Sequence, residues 1–166
     1  MILAIDSGNI ESAYVVVDET LKPLEFAKVE NDWLNENIPV IINRYRVKQV
    51  AIEHVACYGM AVGKEVFDTC VWIGRFTETT FRHIDISEVI PIYRKDEKLN
   101  ICQSMKTNDS NIRRALIDRF AQHDFKNGKG TKKEPDFFFG FKADIWSGMA
   151  VAVTYYDLYL NRQKAG

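Results

Sequence analysis

Apolar residues near the start of the chain come in short runs, each closed by a charged or turn-forming residue. Ile2–Asp6, Ser12–Asp18 and Leu24–Glu30 therefore predict three strands, the last after a Lys22-Pro23 turn. Their short connections predict an antiparallel meander. The period then lengthens. Leu34, Ile38, Ile41, Ile42 and Tyr45 share one face of a helix over Trp33–Tyr45, in which Pro39 predicts a kink or a restart. Gln49–Glu53 reads as a short apolar strand. Val62–Arg82 has helical spacing of Val66, Cys70, Ile73, Phe76 and Phe81, with the polar Thr77 on the same side. Ser87–Tyr93 predicts a fifth strand, and Pro91 points to an edge or a bulge. Helices follow over Asp96–Ser104 and Ser110–Gln122, the second with Asp109 or Ser110 as N-cap. Asn127–Pro135 is a Gly/Lys loop, and a final helix runs from Ala143 or Asp144 to about Leu160. A meander followed by alternating strands and helices predicts an α/β fold, a mixed sheet covered by helices.

Composition narrows the setting. A chain of 166 residues, 46% hydrophobic, suits one globular domain over residues 1–166. Asp6 breaks the N-terminal apolar run too early for a signal peptide, and no run is long enough to span a bilayer. Cys57, Cys70 and Cys102 are odd in number and widely spaced, which argues against a disulfide framework or a zinc site and for a reducing cytoplasm. The net charge of −1 hides an asymmetry. Residues 1–81 carry 7 basic and 12 acidic side chains; residues 82–142 carry 13 and 9. That distribution suits a polyanion held near a carboxylate site as well as it suits ordinary surface scatter.

Three carboxylates stand at informative places. Asp6 and Glu53 each end a strand, and Asp144 opens the last helix. If the two strands are parallel neighbours, both acids emerge at one edge of the sheet, where a crossing helix can bring Asp144. Such an oxygen set suits Mg²⁺ or Mn²⁺, the ions that activate water and steady the leaving oxygen in phosphodiester hydrolysis. Each acid alone has an ordinary explanation, in a turn or a helix cap; only the combination points to chemistry. Arg94 and Lys95, with Lys98, follow the fifth strand, and Lys129, Lys132 and Lys133 sit in the Gly-rich loop. Both groups are candidates to bind DNA phosphates without reading sequence. Arg113, Arg114 and Arg119 read as a mostly solvated helix face. Strand alternation turns His54 away from Glu53. The cluster Phe137, Phe138, Phe139 and Phe141 reads as a loop anchored to the core, and Trp72 and Phe76 as candidates for a dimer seam.

The stretches "AIDSGNIESAYVVVD", "VAIEHV" and "KADIWSGMAVAVTYYD" together resemble the RuvC-type Holliday junction resolvases of the RNase H-like (retroviral integrase) superfamily. "YGMAVGKEVFDTCVWIGRF", "SMKTNDSNIRRALIDRF" and "GTKKEP…GFKADIW" resemble the bacteriophage branch. The resemblance implies an RNase H-like five-stranded mixed sheet, catalysis with Mg²⁺ or Mn²⁺, a homodimer, and branched DNA, chiefly four-way junctions, nicked in pairs. It assigns Asp6, Glu53 and Asp144 as metal ligands and catalytic residues, and Lys106 to the scissile phosphate. Two departures stand out. Asp6-Ser7-Gly8 replaces the Asp-Pro-Gly usual in the bacterial enzymes, and Ser147 occupies the place of a second aspartate on the last helix. Flaps, forks and RNA–DNA hybrids are alternative substrates, and a catalytically weak junction-binding module is an alternative role.

Overall fold

The computed structural model describes residues 1–57, 59 and 61–161. Tyr58 and Met60, within one of the stretches quoted above, lie outside the described residues. Five strands, β1 (Ile2–Asp6), β2 (Glu11–Val17), β3 (Pro23–Glu30), β4 (Gln49–His54) and β5 (Val89–Tyr93), form one sheet in the order β3-β2-β1-β4-β5. β1, β2 and β3 pair antiparallel, as the meander predicts. β4 pairs parallel to β1, and β5 parallel to β4. The mixed sheet expected from the sequence is therefore present.

Strand alternation divides the core in two. Leu3, Ile5, Val16, Val50 and Ile52 face one side, where helices α1 (Asn31–Tyr45) and α2 (Lys64–Phe81) bury Leu34, Ile38, Ile41, Ile42, Ile73 and Phe76. Ile2, Ala4, Ala13, Val15, Ala51 and Ile92 face the other, under α4 (Asp109–Phe120) and α5 (Ile145–Tyr155). Between β5 and α4 runs the short helix α3 (Arg94–Cys102). α5 is apolar on nearly every side and is buried from Ile145 to Tyr155 except at Ser147, packing on β1, β2 and β4. Gly148 lets it approach closely: a Cβ there would lie 3.1 Å from Val15 Cγ2. Beyond Tyr155 the helix widens into a π-helical stretch, Tyr156–Leu160.

Several sequence expectations meet their physical outcome here. Pro39 neither splits nor restarts α1; buried residues on both sides of it, Leu34 and Ile38 before and Ile41 and Ile42 after, hold one continuous helix. Pro91 is exposed on β5, which is an edge strand. The N-cap of α4 is Asn108, one residue before the expected position, and its side chain accepts from the Asn111 N–H. Phe138 and Phe141 are buried against Trp146, and Phe137 stacks on Phe120, so the aromatic cluster anchors its loop; only Phe139 is turned out. Phe76 is fully buried between α2 and the sheet, so it is unavailable to a dimer seam; the exposed apolar residues of α2 are Phe67, Val71 and Phe81. Among the described residues, no helix is long and apolar enough to cross a membrane.

Phe138 is completely buried and touches three aromatic partners besides Phe137. Phe138→Ala is expected to cost about 3–5 kcal/mol of unfolding free energy by denaturant titration, since the rigid neighbours cannot close the cavity.

Candidate active site

Parallel register determines where the acids go. Ile5 pairs with Ile52, so the next residues, Asp6 and Glu53, leave the ladder side by side. By alternation both fall on the α5 side of the sheet, with Ala4 and Ala51. His54 falls on the α2 side, where its ring meets Tyr93 edge-on at 5.9 Å. The carboxyls of Asp6 and Glu53 are hydrogen-bonded to each other. Desolvation raises Asp6 well above the usual aspartate range, with the Glu53 contact adding to it; burial raises Glu53 as well.

The turn leaving Asp6 is fixed by a residue that the sequence pattern does not single out. Asn31, buried at the start of α1, donates from Nδ2 to the Gly8 carbonyl at 3.0 Å and accepts from the Ser12 hydroxyl at 2.6 Å. The same hydroxyl accepts from the Gly8 N–H at 3.1 Å. Gly8 is needed because a Cβ would sit 2.2 Å from the Glu11 carbonyl oxygen. Its requirement is thus internal to the turn.

α3 adds two further charged groups. Glu97 is fully buried, and Arg94 donates to it and to Asp109 at the start of α4. Glu97 interacts electrostatically with Asp6 and Glu53, and burial pushes its carboxyl up to about 8. Its one sequence signal is an acid four residues before the core-packed Ile101, where an apolar residue is the norm.

Asp144 stands at the N-cap of α5 without capping it. Ala143 before it adopts a left-handed conformation (φ +43°), and the Asp144 carboxylate is held by Lys28 Nζ of β3 at 2.8 Å. Lys28 lies 3.4 Å from Glu11 as well. A cavity of about 120 Å³ is lined by Arg94, Asp109, Arg113, Asp144, Trp146 and Ser147. A second, of about 230 Å³, is lined by Ser7, Glu53, His54 and Arg94 among others. Arg94 borders both.

The basic residues are distributed differently from the acids. Arg94 is committed to carboxylates. Arg113 lines the Asp144 cavity, over the Trp146 ring, and its Nε has no hydrogen-bond partner among the described residues. Arg114 and Arg119 pair with Asp118, Asp124 and Asp157. Lys95 is exposed on α3, and Lys106 is exposed in the loop before α4. Lys132 and Lys133 are exposed, and Lys129 half-buried, in a loop pinned by a Gly130–Pro135 bridge. Pro135, Asp136 and Phe137 share a cavity with Lys22 and Pro23, where β3 begins; Lys28, beside Asp144, is near its other end. The lysine loop is thus not gathered to the carboxylates.

The donor chemistry fits a hard divalent ion: two contacting carboxyls and, beside them, the buried Glu97 with its orphaned Oε1. A preformed cage is not built, since among the described residues no three His, Cys, Asp or Glu side chains converge closely enough to ligate one ion. Asp144, in particular, is turned to Lys28.

Two outcomes follow. Asn31→Ala is expected to cost about 1–3 kcal/mol in chemical denaturation, because it strands the Ser12 hydroxyl and the Gly8 carbonyl. The folded chain keeps a proton on Glu97 up to about pH 8, whereas the carboxyl ordinarily titrates at 4.5. That contribution to stability is complete below 4.5 and is lost as pH rises through about 8. In metal-free buffer the melting temperature of the native chain should therefore fall relative to Glu97→Gln across that window; a constant difference would contradict the burial account.

A search with the sequence finds no matching family model and no matching curated protein. Solved structures do match. Thermus thermophilus RuvC in complex with a Holliday junction substrate superposes with a TM-score of 0.67 at 14% identity, covering 98% of this chain and 95% of that one. A further Thermus thermophilus RuvC structure gives 0.65 at 14% identity, covering 94% of each chain. The chain thus has the RuvC-type, RNase H-like fold over nearly its whole length.

Proposed function

We propose that this chain is a divalent-metal-dependent, structure-selective DNA endonuclease that resolves four-way junctions by paired nicks. The observation that carries the reading is the Asp6–Glu53 pair: two carboxyls from neighbouring parallel strands, in contact and desolvated at one edge of the sheet. Like charges brought together in a desolvated place are retained where something positive is to be bound. The match to RuvC bound to a junction substrate, over 98% of this chain, supports branched DNA as the ligand. The stretches quoted from the sequence favour the bacteriophage branch, and with it the cytoplasm of a bacterial host.

On this reading Asp6 and Glu53 would hold Mg²⁺ or Mn²⁺, joined by Asp144 once Lys28 releases it. Such an ion supplies Lewis-acid activation of water and neutralises phosphate charge. The chain's own groups do the rest. Arg113, which lines the Asp144 cavity, is a guanidinium donor for the phosphate, and Lys106, exposed in the loop before α4, is a second cation for it. Lys95 contacts the backbone beside the site, and Lys129, Lys132 and Lys133 contact DNA away from the cleaved bond. Phe67, Val71 and Phe81 give α2 an exposed apolar face suited to a second copy of the chain. A two-fold pair of sites nicks opposing strands of a symmetric junction.

One observation favours the binding-module alternative: Asp144 is neutralised by Lys28, and Ser147, one turn on, is no carboxylate. Cleavage of an end-labelled four-way junction, beside flaps, forks and RNA–DNA hybrids, with Mg²⁺ or EDTA, separates the readings. Symmetric nicks on opposing strands, abolished by EDTA, are expected. Tight binding with no nicks in either Mg²⁺ or Mn²⁺ would favour the module. Asp6→Asn should reduce cleavage to the EDTA level while raising the metal-free melting temperature, since it relieves the buried carboxylate pair. Undiminished nicking by that variant would sink the assignment.

A further inference from the structure

We propose that Glu97 is a cation-facing carboxylate of this site, supplying the charge that Ser147 does not. The inference rests on the metal-dependent reading above and names a residue outside the acids that the sequence resemblance assigns.

Four observations converge on it. Glu97 is 0% exposed, on the side of α3 that carries Ile101 into the core. Its Oε1 has no hydrogen-bond partner. A carboxylate oxygen left bare in the interior is costly and uncommon unless a ligand serves it. Third, its partner Arg94 lines one cavity with Glu53 and another with Asp144, which puts Glu97 beside the acids already described. Fourth, Asp6, Glu53, Glu97 and Asp109 surround one guanidinium, that of Arg94, so carboxyl oxygens outnumber the donors they face. A divalent ion would be served by that surplus of hard oxygen ligands.

The rival is that Glu97 exists only to pair with Arg94. A purely structural pair would use both oxygens in the parallel fork that guanidinium and carboxylate favour. Here Arg94 splits its donors between Glu97 and Asp109 and leaves Oε1 empty. That arrangement lets Glu97 turn toward an ion while Arg94 keeps Asp109. Ser147, in contrast, lines the cavity of Asp144 and offers only a hydroxyl.

The test is Mn²⁺ and Mg²⁺ binding to the full chain without DNA, by isothermal titration calorimetry and by the rise in melting temperature with metal concentration. Glu97→Gln keeps the shape and an acceptor for Arg94. It should weaken Mn²⁺ binding by at least about tenfold, beyond the lower bound seen for losing a supporting group. Glu97→Asp should recover part of the loss, and Ser147→Ala should leave affinity unchanged. Circular dichroism should be that of the native chain for each variant. Native affinity in Glu97→Gln, or loss of affinity in Ser147→Ala alone, would overturn the inference and leave the metal-dependent reading standing. Failure of the native chain to bind either ion would remove both.

Discussion

The parallel pairing of β1 with β4 is the constraint from which the rest follows. It is in register to the last pair, Ile5 with Ile52, so the two strands release their final carboxylates together and on the same side of the sheet. Two carboxyls in contact and away from bulk water cannot both ionise cheaply, and they share a hydrogen bond instead. A fold selected for stability alone would place neutral residues at that edge. This one spends neighbouring structure on holding the pair in place: Asn31 and Ser12 lock the turn after Asp6, and α3 brings Arg94 and Glu97 from the far side of β4.

The opposite requirement is met by α5. It is so uniformly apolar that it must be covered on every side, and the sheet, α4 and the phenylalanine loop cover it. Its position is therefore fixed by core packing. The N-terminal end of the helix inherits that precision, which is how an exposed residue such as Asp144 comes to a defined place. The left-handed Ala143 fits the same picture: the backbone takes up strain where the phenylalanine anchor and the helix start must both be satisfied.

These physical origins explain what could be read from the sequence. Period-two and helical patterns are local, and they yield the meander, the helices, the edge position of Pro91 and the direction of His54. The convergence of Asp6 and Glu53 needed one assumption beyond the pattern, that their strands are parallel neighbours. Glu97, Lys28, Asn31 and Arg113 were not legible as site residues, because each matters through what lies across the fold from it. Asn31 looks like an ordinary helix start until the Gly8 carbonyl is brought beside it. The lysine loop lies apart from the acids because it follows the C-terminal end of α4, whereas Asp109, near the acids, begins that helix. Charge along the sequence records neither direction.

Lys28 and Arg94 are not equivalent, and the difference bears on how a ligand would enter. Lys28 and Asp144 are 33% and 49% exposed as side chains, and an ion pair in that setting is worth about 1 kcal/mol or less. A phosphate can draw Lys28 away, or an ion Asp144, at little cost. Arg94 is bound at both ends, one of them to a carboxyl with no exposure at all, and removing it outright would leave that buried group without its hydrogen-bond partner. Any rearrangement among the acids must therefore move Arg94 or keep it on Asp109. The Lys28–Asp144 pair can part at the surface, the Arg94–Glu97 pair only in the interior, and only the second ties the electrostatics of the site to the stability of the whole fold.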